Sequence, residues 1–289
     1  MRDLIITEEI RQEVLSILTD ILGKDATGIY TTVEEIEGGG YGDFYSTLKY
    51  ENGRAVNYGN FIEETDDVCF YNGASRFIIY PYNTEYVIKL PITHVYDERI
   101  VLRRPSEEEE GTYDYNECWG SSGDADFLLE EGYEIIGREF ACNCSRTSFD
   151  LMEQENAYYE EAKEVSESTA DILLPNEYIG NFNDIPVWVQ RKIRTTQSDL
   201  CDDNTASPEE KESLSKIEDK STLNNSFILA LIRKYGEKLC EEIINTINYL
   251  GLNDLHGGNI GYLFDGSPVI FDFAGYDEDE IWNYDVVLN

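Results

Sequence analysis

The run Asn253-Asp254-Leu255-His256-Gly257-Gly258-Asn259, followed by Ile270-Phe271-Asp272-Phe273-Ala274-Gly275, sets Asp254, Asn259 and Asp272 at intervals of five and thirteen residues. Asn-Asp and Gly-Gly pairs mark turns, which accounts for the polarity of these stretches but not for their spacing. Two carboxylates and an amide offer hard oxygen donors. A magnesium ion takes such donors, usually one or two carboxylates, and fills its shell with water and phosphate oxygens. Asn259 and Asp272 suit that chemistry. A second group pairs opposite charges. Lys89 ends Val87-Ile88-Lys89 and has Val87, Ile88 and Leu90 as apolar flanks, so its stem is expected to be buried. Leu151, Glu155, Tyr158 and Ala162 share one helical face, so Glu155 interrupts an apolar stripe. A buried carboxylate needs a cation or must take up a proton, and Lys89 is the natural partner. Glu153 and Glu160 fall on other faces and read as solvated.

Composition bounds what these residues can belong to. The chain has 289 residues, enough for one large domain or two modest ones, and 41% are hydrophobic. It has no run of eighteen apolar residues, and its start turns acidic too soon for a secretory signal. Six scattered cysteines without a Cys-x-x-Cys, and only two histidines (His94 and His256), give little support to a zinc site. Reduced thiols and a cytoplasmic location are the expectation. Acidic residues outnumber basic ones 59 to 22, for a net charge of −37. Such a field repels nucleic acid and anionic membranes and attracts basic partners. It serves solubility in the plain reading, and in the sharper one makes a polyanionic decoy for a nucleic-acid-binding protein.

The elements that must position the chemistry can be read coarsely. Thr7 to Leu22 reads as an amphipathic helix with Ile10, Val14, Ile17, Leu18 and Ile21 on one face and Gly23 as its stop. From about Gly28 to Ile92 the texture is β-like: 29–33, 44–48, 77–80 and 86–90 are short strands between Gly and Asn turns. Residues 103–134 read as an exposed acidic insertion containing Glu107 to Glu110. A helix is expected over 149–165 with Ser148 as its cap, then a strand over 185–190. Residues 194–222 are polar, a loop or a weak helix. Two helices follow, 227–235 and 238–250, the second with Leu239, Ile243, Ile247 and Leu250 as its stripe. A β-like end, 260–264 and 269–273, brackets a turn at 265–268.

The Asp254, Asn259 and Asp272 spacing, with the upstream Lys89, resembles the catalytic core of the protein-kinase superfamily. The likeness covers about residues 70–275. It lies nearest to short kinase-like proteins of phages and bacteria, distantly similar to aminoglycoside phosphotransferases. The resemblance implies an α+β, two-lobed protein-kinase-like fold with a reduced C-terminal lobe. In it, 1–68 would be a helix and β-rich extension, 69–192 an N-lobe carrying the insertion, and 193–289 a helical C-lobe with the catalytic loop. It implies ATP and Mg²⁺ as cofactors, with the nucleotide arriving as its magnesium complex against the acidic field. Asp254 would orient or deprotonate an attacking hydroxyl, and Asn259 and Asp272 would ligate the metal. Lys89 would hold the α- and β-phosphates, and Glu155 would pair with it. Gly73-Ala74-Ser75-Arg76, beginning sixteen residues before Lys89, sits where the phosphate-covering loop belongs and offers backbone N–H groups, the Ser75 hydroxyl and the Arg76 cation. Gly38 to Gly42 is glycine-rich but lies 47 residues before Lys89, and reads as a turn. Gln190-Arg191-Lys192 falls at the adenine-receiving hinge, by position alone. His256 would be a positioning or a structural residue.

The chain departs from the pattern in three places. Leu252 stands where most relatives have histidine, the last motif is Asp-Phe-Ala-Gly, and only fourteen residues follow Gly275. Asp277 to Glu280 add four carboxylates behind the metal motif. So short a lobe is one that a second subunit could complete, as a homo-oligomer. The expected function is phosphotransfer to a protein or small-molecule hydroxyl. Its rivals are an inactive, kinase-shaped inhibitor of a basic host protein, of the kind mobile elements carry against defence systems, and transfer of AMP in place of phosphate.

Overall fold

The computed structural model describes residues 4–32, 44, 46, 48–51, 54–58, 61–72, 76–103, 111–114, 132, 134–144, 147–194, 206–217, 220, 223–252 and 255–274. The first helix, α1 (Glu8–Leu22), starts where Thr7 accepts a hydrogen bond from the Ile10 N–H at 3.3 Å. It stops at Gly23, whose φ of 83° costs a glycine little and whose N–H reaches Thr19 O. Val14, Leu18 and Leu22, spaced by four, are its buried face.

That face packs on an antiparallel sheet of five strands: β4 (Val68–Asn72), β5 (Arg76–Pro81), β6 (Tyr86–Pro91), β10 (Glu177–Phe182) and β11 (Ile185–Arg191). Their order across the sheet is β10-β11-β6-β5-β4. Alternation sends Phe77, Ile79, Ile88, Leu90, Val187 and Val189 to one side, where they form a single hydrophobic cluster with α1. Ala26, Ile29, Phe44 and Ile62 join the same cluster. Further short strands are β1 (Tyr30–Thr32), β2 (Leu48–Glu51) and β3 (Arg54–Tyr58), the last two forming a hairpin.

A second sheet is built on β7 (His94–Arg103), which pairs in parallel with β1 and antiparallel with β8 (Gly111–Asp114) and β9 (Glu134–Cys144). β8 thus lies inside the stretch 103–134 that reads as an insertion. Glu107 to Glu110 and Gly38 to Gly42 fall outside the described residues.

The helices come next: α2 (Thr147–Val165), α3 (Glu167–Ala170), α4 (Pro208–Lys216), α5 (Asn225–Tyr235) and α6 (Glu237–Leu250). The start of α2 precedes Ser148, which lies within its first turn rather than capping it. Within the polar 194–222 stretch, Ser207 and Glu210 form a capping box that starts α4, a helix with no buried residue. On α6 the buried stripe is Cys240, Ile243, Ile244, Ile247 and Leu250, whereas Leu239 is 40% exposed. Cys240, Ile243, Ile244 and Ile247 follow the i, i+3, i+4, i+7 rule, and that centres the face one residue beyond Leu239. These helices form a second hydrophobic cluster with Ile172, Leu173, Ile260, Ile270 and Phe273. The last two strands, β12 (Ile260–Tyr262) and β13 (Pro268–Ile270), pair antiparallel. The fold is therefore mixed α+β. Among the described residues no helix is long and apolar enough to cross a membrane.

Candidate functional site

Strand register places the first two cations. β6 lies between β5 and β11, with Lys89 opposite Ile78 on one side and Trp188 on the other. Side chains alternate, so Arg76, Ile78, Lys89, Trp188 and Gln190 share the face turned away from the α1 cluster. All five are held by ladders rather than loops. Arg76 and Lys89 are 3% and 1% exposed.

The anions come from elsewhere in the chain. On α2, Leu151, Glu155 and Ala162 are buried, and the Glu155 side chain is fully enclosed. A carboxylate thus sits within the apolar face of the helix, where the periodicity puts it. Glu153 and Glu160 are exposed, as their positions on the helix require. Asp272 follows the β12–β13 hairpin. The turn of that hairpin is set by Gly266, at φ 81°, and by Asp265 Oδ1 accepting from the Ser267 N–H at 2.9 Å. Ile260 pairs with Ile270, and the Phe271 N–H donates to Asn259 O at 3.0 Å. The thirteen-residue interval thus closes on itself, leaving Asn259 and Asp272 at the open end of one hairpin.

The two halves meet at Phe271 and Glu155. The Phe271 carbonyl accepts from Lys89 Nζ at 3.1 Å and from Gln190 Nε2 at 2.9 Å, tying the sheet to the residue before Asp272. Gln190 Nε2 also donates to Leu174 O. Arg76 uses both terminal nitrogens: one pairs with Glu155 at 2.9 Å, the other with Asp272 Oδ1. Glu155 accepts in addition from Asn176 Nδ2 and from the Phe273 N–H at 3.3 Å. Two cations and two anions, from β5, β6, α2 and the segment after β13, therefore form one cluster.

Arg76, not Lys89, makes the direct ion pair with Glu155 among the described residues. The expected pairing is corrected for a geometric reason. A guanidinium is a planar fork that can reach two carboxylates at once, whereas an ammonium is a point charge. Lys89 satisfies itself on a carbonyl and acts on the acids only through its field.

The charges shift one another strongly. Burial pushes the Glu155 carboxyl up, to about 7. The neighbouring Asp272 charge adds to that shift, and Arg76 and Lys89 oppose it. Burial also acts to raise Asp272, but Arg76 and then Lys89 outweigh it and bring Asp272 down to about 2. Burial lowers Lys89 against the pull of Glu155 and Asp272. It would lower Arg76 too, but the two acids more than reverse that and hold the guanidinium charged.

The remaining expected site residues are distributed as follows. Arg76 is in a strand and turned inward onto carboxylates, so it does not stand as a free cation at the end of a loop. Gly73, Ser75 and Asp254 lie outside the described residues, as do 277–280. The Gln190 and Lys192 side chains are buried and committed to internal carbonyls, Lys192 to Pro81 O while lying 4.2 Å from the Tyr80 ring centroid. His256 shapes the loop: its Nδ1 accepts from the Gly258 N–H at 2.9 Å, and its carbonyl accepts from the Asn259 N–H. Asn176 joins the cluster without any signal in its local sequence to mark it.

Among the described residues no three His, Cys, Asp or Glu side chains gather as a metal cluster. The donors that the chain offers at this end of the hairpin are Asn259, which is buried, and Asp272, whose side chain is 27% exposed. One carboxylate and one amide fit magnesium when water and phosphate complete its shell, and they would not fit a cage made wholly of protein. No family model and no curated protein sequence matches this chain.

Proposed function

We propose that the chain binds a nucleoside triphosphate with magnesium and transfers a phosphoryl group to a hydroxyl, on a two-lobed, kinase-like framework. One observation carries the reading. Lys89, marked by its apolar strand flanks, and Asp272, marked by its interval from Asn259, belong to one cluster, in which Lys89 Nζ donates to the carbonyl of Phe271, 182 residues on and next to Asp272. Asn259 and Asp272 would hold the ion, and the ion would neutralise charge on the transferred group. Asp254 accepts the proton of the attacking hydroxyl as its oxygen bonds to phosphorus, and the bond to the bridging phosphate oxygen breaks. Lys89 offers its charge to the phosphates. Gly73 and Ser75 stay assigned to the phosphate loop and the backbone of Gln190 to Lys192 to the base, whereas Arg76 passes to the carboxylates.

Calorimetric titration of ATP with and without Mg²⁺ tests this. Binding should require magnesium, Asp272→Ala should abolish it in a folded protein, and Asp254→Ala should spare binding and remove turnover. Unchanged binding in the Asp272 variant, or normal turnover in both variants, would overturn the assignment.

The net charge of −37 favours a second reading, in which the surface captures a basic protein partner. Capture by surface charge weakens steeply with ionic strength, and nucleotide held in a closed cleft depends on it less.

A further inference from the structure

Asp272 has a double claim on it. If it is a metal ligand, as proposed above, then one of its oxygens already belongs to a cation of the chain's own. Arg76 reaches Asp272 Oδ1 with one terminal nitrogen and Glu155 with the other, from a β5 position that pairs with Pro91 of β6. Among the described residues its Nε is buried without a hydrogen-bond partner, and the partners of its head group are the two carboxylates. The formal charges of Arg76, Lys89, Glu155 and Asp272 cancel. A divalent ion entering on Asp272 meets a site whose anions are already matched, and it faces a guanidinium across the same carboxylate.

We infer that Arg76 is the resident counter-ion of the metal site and competes with divalent cation for Asp272. Metal entry then requires the Arg76–Asp272 contact to open, with Arg76 remaining on Glu155. Metal without nucleotide binds weakly for this reason. A polyphosphate brings the negative charge that lets Arg76 and the ion coexist. The chain thereby resists idle metal loading, and its metal affinity is set by a residue that is not itself a ligand.

The test uses Mn²⁺ without nucleotide, with free Mn²⁺ followed by electron paramagnetic resonance at pH 8. Arg76→Met removes the competitor. Because it also leaves Glu155 without its ion-pair partner, Arg76→Met/Glu155→Gln is measured beside it. That double variant keeps the formal charge of the cluster at zero, so a gain reports the freed Asp272 oxygen rather than added negative charge. A cooperative melt and an unchanged far-ultraviolet spectrum establish that each variant is folded. The expected result is Mn²⁺ binding at least ~10-fold tighter in the double variant than in the parent. Adding Asp272→Asn should erase that gain and give the background of weak binding by the acidic surface.

If the folded double variant binds Mn²⁺ no tighter, while Asp272→Asn still lowers metal binding in the presence of ATP, the competition is refuted and the metal reading survives. If Asp272→Asn changes Mn²⁺ binding in no background, with or without ATP, Asp272 is not a ligand and both readings fall together.

Discussion

Replacing Glu155 by methionine tests whether the buried cluster holds the sheet to the hairpin. Methionine keeps the length of the side chain and removes its charge and its acceptors. Three donors lose a partner: the Arg76 guanidinium, the Asn176 amide and the Phe273 N–H. At pH 8 the carboxylate is ionised, since its midpoint is about 7. Removing one member of a buried ion pair costs ~3–5 kcal/mol, because the other charge is left in the interior. Orphaned neutral donors add ~1–3 kcal/mol each. Arg76 retains Asp272, which offsets part of the loss, so the net destabilisation should be ~4 kcal/mol. For a chain of 289 residues an unfolding entropy of ~2.1 cal/mol/K per residue turns this into a thermal midpoint lower by ~7 °C. Circular dichroism melts and urea titrations read both quantities. The companion experiment is a double-mutant cycle with Arg76→Met, in which the double variant should be less destabilised than the sum of the singles by ~2 kcal/mol. A Glu155→Met protein within ~1 kcal/mol of the parent, or strict additivity in the cycle, would refute the idea that these residues act as one unit.

Stability should also depend on pH through the same cluster. Glu155 sits at about 7 in the fold against an ordinary 4.5, so its contribution is fully present below 4.5 and is lost as pH rises through 7. Asp272, at about 2 against 3.8, contributes above 3.8 and loses that contribution as pH falls through 2. The thermal midpoint of the parent, measured against that of Glu155→Gln, should therefore fall between pH 4.5 and 7; a constant difference would contradict the assignment. Gly258→Ala should disturb the loop before Asn259, because a Cβ there would stand 2.7 Å from His256 Cε1 and displace the ring that Gly258 N–H bonds to. Nucleotide affinity should drop in that variant and in His256→Ala alike, and an affinity unchanged in His256→Ala would show that the ring is not placing Asn259. Cys240 is fully buried and its thiol is pushed up to about 12, so it should react with iodoacetamide only on unfolding. Labelling of native protein at Cys240, read by peptide mass, would contradict its place in the core.

Local periodicity makes several features legible in the sequence. Thr7 and Gly23 bound α1, because an oxygen that accepts from an early N–H starts a helix and a glycine at positive φ stops one. The buried Glu155 follows from its place among Leu151, Tyr158 and Ala162. The Asp265-Gly266 turn fixes a hairpin whose ends carry Asn259 and Asp272. Each of these depends on residues within one or two turns of chain. The pairing of β7 with β9 is not legible in this way, because it joins residues as far apart as His94 and Cys144 and the intervening segment carries no pattern that sets their register.

The sequence by itself determined that a carboxylate on the apolar face of α2 must find a cation or take up a proton, and that a tight turn precedes Asp272. Which cation answers Glu155 was decided only by the tertiary structure. Lys89 and Arg76 both lie on the same face of the sheet, and the apolar flanks that favour Lys89 in the sequence do not decide between them. The pairing of Ile78 with Lys89 puts Arg76 one diagonal step away, and the Phe271 carbonyl takes the lysine. A slip of one residue in β5 would turn Arg76 to the opposite face. Strand register is a property of the whole sheet and of what it packs against, so the choice of counter-ion is absent from any single segment and present only once they have met.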